Sequence, residues 1–153
     1  MLAGQVAVVT GSGGAMGGAI AERLAGAGAR IVLNDRVADR VEAHRAAVEA
    51  HGVQAVSVTA STSRPEGARA VVAAALDTWG RLDILVNTVG GIKGPVEVPV
   101  WEITDDQWDA TPPLGRINDP SDIAGAVAYL VSPDARNVSG QLLTVAGGFN
   151  PAL

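Results

Sequence analysis

Val6-Ala7-Val8-Val9-Thr10-Gly11-Ser12-Gly13-Gly14-Ala15-Met16-Gly17 reads as a buried strand that turns through glycines straight into a helix. Glycines permit such a tight turn and let backbone N–H groups approach a pyrophosphate, whose charge sits at the positive end of the helix dipole. A second strand, Arg30-Ile31-Val32-Leu33, ends in Asn34-Asp35 and places a carboxylate eighteen positions after Gly17, close to the spacing of a ribose-binding acid. Strand, glycine loop, helix, strand and acid in this order point to a dinucleotide site. The alternatives are a plain turn with a solvated Asp35, or an S-adenosylmethionine site of similar architecture. The threonine before the first glycine and the spread of glycines from Gly11 to Gly17 favour the dinucleotide.

Composition narrows the function classes. A chain of 153 residues suits one domain, 1–153, with a single core. Charged residues make up 18% and the net charge is -5, so a basic surface for nucleic acid or anionic lipid is not expected. Cysteine is absent, which excludes a disulfide framework, a thiolate nucleophile and a cysteine-ligated metal and leads us to expect a cytoplasmic protein. His44 lies in a helical pattern and His51 precedes Gly52 at its end, a favourable place for histidine at a helix C-terminus; no metal site is expected. No apolar run reaches membrane-span length, and because the first strand starts almost at once no signal peptide is expected.

Through the first ninety or so residues, strand and helix patterns alternate as in parallel βαβ units. Ile20, Leu24 and Ala27 line one face of the first helix; Val37, Val41 and Val48 mark the second; Gln54 to Val58 is a third strand. Ser63-Arg64-Pro65-Glu66 reads as a capping box before a helix with Val72, Leu76 and Trp79 on one face. The fourth strand, Asp83-Ile84-Leu85-Val86-Asn87, is nearly continuously apolar, which predicts cover on both faces in a parallel sheet. Asp119-Pro120-Ser121-Asp122 caps a last helix with Ile123, Val127, Tyr129, Leu130 and Val131 as its apolar surface.

These residues resemble the short-chain dehydrogenase/reductase family. Thr10 to Gly17 is similar to its TGxxxGxG loop, with Ala15 at the usual middle glycine, and Leu85-Val86-Asn87-Thr88-Val89-Gly90 resembles its fourth-strand NNAG motif. Pro113 to Arg116, Asp119 to Ala124 and Ser139 to Gly148 resemble its last helix and strand, with Ala146 replacing a usual aspartate. The resemblance implies a Rossmann-like, doubly wound parallel α/β sheet and NAD-dependent hydride transfer between an alcohol and a ketone. It places the cofactor against Gly11, Ser12, Gly14, Met16, Gly17, Asp35, Arg36, Ser61, Thr62, Asn87, Val89 and Gly90. Asp35 repels a 2′-phosphate, which favours NAD over NADP, although Arg36 stands beside it. Asn87 has the further possibility of merely tying strands together.

The family's catalytic serine and Tyr-x-x-x-Lys pair have no counterpart. The sole tyrosine, Tyr129, has Pro133 four residues later, and the sole lysine, Lys93, precedes it in a glycine-flanked loop. Thr104 to Ala110 would open a long helix in the family, yet Thr111-Pro112-Pro113 follows at once; the join Ala110–Thr111 reads as an internal deletion of βα-sized units, each of roughly 30 residues. Tyr129 is expected to pack in the core, and no catalytic residue is assigned. Without the middle of the fold the fourth strand becomes an apolar edge. Gln141 to Val145 is expected to cover it as a fifth strand, in the order 3-2-1-4-5, or strands pair between subunits of a homo-oligomer. Three functions follow: an active dehydrogenase on a small alcohol or carbonyl compound, a dinucleotide-binding module without turnover, or an inactive deletion product that keeps its fold. Because the Ala15 methyl group stands where close backbone approach is expected, Ala15→Gly should tighten NADH binding in a fluorescence titration, and equal affinities would refute this.

Overall fold

The computed structural model describes residues 1–90, 113–116 and 118–147. Four parallel strands, β1 (Val6–Thr10), β2 (Arg30–Asp35), β3 (Ala55–Thr59) and β4 (Ile84–Asn87), form one sheet in the order β3-β2-β1-β4. They alternate with α1 (Ala15–Gly26), α2 (Ala38–Glu49) and α3 (Pro65–Trp79), and α4 (Pro120–Leu130) is followed by a short 3₁₀ turn at Pro133–Ala135. Because side chains alternate across a strand, β1 feeds two cores. Ala7 and Val9, with Ile31 and Leu33, pack on the side of Ile20, Leu24, Val41, Val48 and Ala124. Val6, Val8 and Val32 pack on Val71 and Ala75 of α3. Helices on both faces make the sheet doubly wound, as the sequence predicts, and no described helix is long and apolar enough to cross a membrane.

Several local expectations give way to tertiary packing. The buried residues of α3 are Val71 and Ala75, with Trp79 alongside, while Leu76 is 47% exposed; a 3.6-residue period places the stripe one position earlier than the apolar count indicates. The capping box at Ser63 does not form. Pro65 is the first helical residue, so the extended residue before it, Arg64, becomes the N-cap without a side-chain bond, and the Ser63 hydroxyl pairs with that of Ser61 at 2.8 Å. Val37 is the N-cap of α2 and is exposed.

The fifth strand is not formed among the described residues. Gln141 to Thr144 are exposed and unpaired with the sheet. The segment is fastened instead to the turn before α4: Leu114 N–H donates to Gly147 O at 3.0 Å, and the Asn118 amide donates to Val145 O. Nor do the described residues cover β4 on both faces. Leu85 pairs in register with Val8, on the α3 side, but among the described elements α3 touches β1, β2 and β3 and not β4, and Leu85 is 53% exposed. On α4 the packed stripe is Ile123, Ala124, Val127 and Val131, against the core that contains α1. Tyr129 and Leu130 fall off this stripe and are 46% and 42% exposed, so Tyr129 is no core residue. Lys93 and the Ala110–Thr111 join lie outside the described residues.

Two carboxylates fasten the ends of this frame. Asp83 accepts from Val6 N–H at 2.8 Å and from the Arg81 guanidinium at 2.8 and 2.7 Å, locking the start of β4 to β1. The predicted cap of α4 is present as a reciprocal pair: Asp119 accepts from Ser121 N–H, and Asp122 accepts from Asp119 N–H. The Arg116 guanidinium, held bidentate at 2.6 and 2.7 Å, and then the Asp119 amide lower the Asp122 carboxyl from 3.8 to about 2. A carboxyl lowered on folding adds stability above its unfolded value and loses it as pH falls through the folded one. The gap in Tm between the wild type and Asp122→Asn should therefore close as pH falls from about 4 to about 2; a constant gap across that interval would contradict the assignment.

Candidate functional site

The carboxyl ends of β1, β2 and β4 lie side by side, with Thr10 opposite both Asn34 and Asn87. From Thr10 the chain turns through Gly11, whose φ of 69° is left-handed and whose missing Cβ would stand 2.8 Å from Thr88 Oγ1. Gly14 N–H closes the turn on Gly11 O at 3.1 Å. Gly17, in the first turn of α1, is buried against the loop; a Cβ there would run into the Gly11 carbonyl and lie 2.8 Å from Ser12 Cα. Only residues without side chains let strand, turn and helix approach this closely.

The N-terminus of α1 is left open. Its N-cap, Gly14, makes no side-chain bond, and no acid stands in the first turn, so its first amides and the positive dipole end have no side-chain partner among the described residues. Gly14, Ala15 and Met16 are exposed around it, Met16 at 49%. Asp35 borders the same loop: a Cβ on Gly13 would lie 2.9 Å from Asp35 Cγ and 2.8 Å from Arg40 Cβ. Its Oδ1 accepts from Arg36 and Val37 N–H at 2.6 and 3.2 Å. Oδ2 has no protein partner among the described residues.

The remaining predicted residues divide by what they touch. Ser12 is fully buried with its hydroxyl turned inward, and its N–H and Oγ both donate to Asn34 O, at 2.9 and 3.3 Å. Ser61 and Thr62 are half-buried where the chain leaves β3, one residue past Ala60, whose N–H donates to Asp35 O at 3.1 Å. Asn87 Oδ1 accepts from Thr10 Oγ1 at 3.3 Å, so its carboxamide ties β1 to β4. Arg36, Val89 and Gly90 are exposed. Sequence reading missed three residues of this cluster. Thr88 donates to Thr10 O at 2.6 Å beneath Gly11, Arg40 packs its Cβ against Gly13, and Asn34 is the buried polar residue of β2, where a polar side chain in place of another apolar one was the signal that could have disclosed it. A cavity of about 430 Å³ between Leu114, Arg116 and Asn118 on one side and residues 144–147 on the other contains none of the predicted residues, and its Arg116 is taken up by Asp122.

The family described as short chain dehydrogenase matches residues 5–117. The chain belongs to the short-chain dehydrogenase family. A second model of this kind, Enoyl-(Acyl carrier protein) reductase, matches residues 104–150. Members of the short-chain dehydrogenase family bind nicotinamide dinucleotides and act on small molecules. Among curated relatives, the 1-deoxy-11-beta-hydroxypentalenate dehydrogenase of Streptomyces exfoliatus is 36% identical over 99 residues, 65% of this chain and 36% of the relative. The 1,6-dihydroxycyclohexa-2,4-diene-1-carboxylate dehydrogenase of Pseudomonas putida is 43% identical over 89 residues, 58% of this chain and 32% of the relative. The chain thus spans about a third of the first curated relatives it matches. An uncharacterized oxidoreductase of Methylorubrum extorquens is 27% identical across 96% of this chain and 98% of its own. That alignment runs over 243 positions, more than this chain's 153 residues, so an internal stretch of the relative has no counterpart here. A hydroxysteroid dehydrogenase structure from Escherichia coli shares the fold, with a TM-score of 0.80 at 24% identity over 96% of this chain and 97% of that one.

The contact between Gly17 and the Gly11 carbonyl has a direct test. Overpacking costs about 1–3 kcal/mol, so Gly17→Ala should lower Tm by about 2–12 °C in a thermal melt. An unchanged Tm would show that the loop has room for the methyl group.

Proposed function

We propose that this short-chain dehydrogenase binds NAD and does not complete the family's redox turnover. The observation that carries the reading is the Asp35 carboxylate beside Gly13, its Oδ2 without a partner among the described residues, at the N-terminus of α1, which has no side-chain cap. In this reading the backbone of Gly11, Gly14, Met16 and Gly17 receives the pyrophosphate. Asp35 Oδ2 accepts from the ribose hydroxyls and Ser61 and Thr62 flank the adenine. Asn87, Val89 and Gly90 border the far end, Arg36 stands at the ribose side, and Ser12 holds the loop from behind. The charge of Asp35 favours NAD over NADP.

Carbonyl reduction needs a proton delivered to the developing alkoxide by an acid whose pKa is tuned toward neutrality. The family uses a tyrosine with a lysine four residues later; here the sole tyrosine is Tyr129, exposed on α4, with Pro133 at that position. The cofactor cradle remains and the proton donor does not. The names of the relatives favour a second reading, an active dehydrogenase on a small alcohol or carbonyl compound, whose substrate they do not transfer to this chain. The chain is further proposed to be cytoplasmic, to form a single domain without nucleic-acid or membrane partners, and to assemble as a homo-oligomer. An outer edge of β4 with no paired strand among the described residues supports that assembly.

Asp35→Asn keeps an acceptor for the Arg36 and Val37 amides and removes the charge. Hydrogen bonds to charged groups contribute about 1.5–3 kcal/mol, so NADH affinity should fall roughly 10- to 100-fold while discrimination against NADPH shrinks. Fluorescence titration of purified protein with an intact mass of 15.4 kDa measures both, and a wild type that binds no NADH would overturn the proposal.

A further inference from the structure

Asn34 is 1% exposed, at the end of β2 among Ile31, Val32 and Leu33, which are fully buried. Its side-chain amide donates both hydrogens to carbonyls of the neighbouring strand's exit, Val58 O at 2.9 Å and Ala60 O at 3.0 Å. Two carbonyl acceptors fix the orientation of the amide group. That choice leaves Asn34 Oδ1 buried without a partner, a cost an apolar residue of the same size would avoid. The polar side chain is therefore explained by what its donors hold. On the other side, the Asn34 main-chain oxygen receives both the N–H and the hydroxyl of Ser12.

One residue thus joins three segments: the glycine turn after β1, the end of β2 that carries Asp35, and the exit from β3 that leads into Ser61 and Thr62. Ala60 N–H, bonded to Asp35 O, closes the same knot. We propose that Asn34 is a positioning residue which sets the spacing between the glycine turn and the Ser61–Thr62 wall, and through it the affinity for the adenosine half of a dinucleotide. The proposal rests on the dinucleotide reading above. Asn34 touches no ligand in this scheme; it acts through Ser12 and Ala60. Its two amide bonds have no substitute, because a serine hydroxyl carries one hydrogen and a leucine none.

The test compares Asn34→Leu, which keeps volume and removes both donors, with Val71→Ala, which opens the core on the α3 face away from the loop. AMP and NADH are titrated against each variant and the wild type, and apo Tm is measured in parallel. A misplacement of about 1 Å in a binding group can cost on the order of 100-fold, so Asn34→Leu should weaken both ligands by about 10- to 100-fold. Val71→Ala should lose Tm yet bind both within about twofold. Near-wild-type AMP and NADH affinities for Asn34→Leu would overturn the proposal, as would an equal loss for Val71→Ala. A wild type that binds neither ligand would instead bring down the dinucleotide reading and this inference with it. Should Asn34→Leu fail to fold, hydrogen exchange on the wild type decides: AMP should slow exchange at Ser12–Gly14 and at Ala60–Ser63 together, and protection confined to one of the two segments would overturn the assignment.

Discussion

Everything near the site depends on how closely the first turn of α1 sits against the strand it comes from. Gly17 lies on the Gly11 carbonyl with no room for a methyl group, and Gly11 takes a left-handed turn over Thr88. This contact brings the helix N-terminus down onto the carboxyl end of β1, the most buried strand of the sheet. The neighbours then fall into place by register. Thr10 pairs with Asn34 on one side and Asn87 on the other, so a polar rim collects where the apolar strands stop. Open parallel sheets bind ligands at such a crevice. The acid that the rim presents, Asp35, has one oxygen anchored by the start of α2 and one without a partner among the described residues.

Much of this was legible in the residues because it is local. The glycine spacing, the acid after β2 and the apolar runs of β1 and β2 each carry their own conformational signal, and all three stand where expected. The α4 cap was equally local: Asp119 and Asp122 bracket a proline whose place in the first turn leaves little choice. What failed was decided at a distance. Which face of α3 is buried depends on where the sheet lies beneath it, and Val71 and Ala75 win over the larger Leu76. Whether Gln141–Val145 joins the sheet depends on competing hydrogen bonds from the Leu114 N–H and the Asn118 side-chain amide. Asn34 looked like a minor interruption next to Asp35, and nothing in strand periodicity tells that its amide reaches across to β3.

The family assignment and the packing describe the same division of the molecule. What is described of the sheet ends at β4, and the relative that matches nearly the whole chain has an unmatched internal stretch. The elements that would hold adenosine and pyrophosphate are early ones, stabilised by two cores that they largely supply themselves. On this proposal, loss of a later segment would leave their geometry standing, and Leu85 is 53% exposed on β4. On the proposed reading, binding and chemistry have come apart because they were built from different stretches of one chain.

Transfer of label tests that separation most directly. Purified protein of verified mass would be incubated with NADH deuterated at the nicotinamide C4 and a panel of ketones, and the corresponding alcohols examined by mass spectrometry. The account predicts no deuterium in any alcohol above a protein-free control. Deuterium incorporated into even one of them would show that this chain completes hydride transfer, and would contradict it.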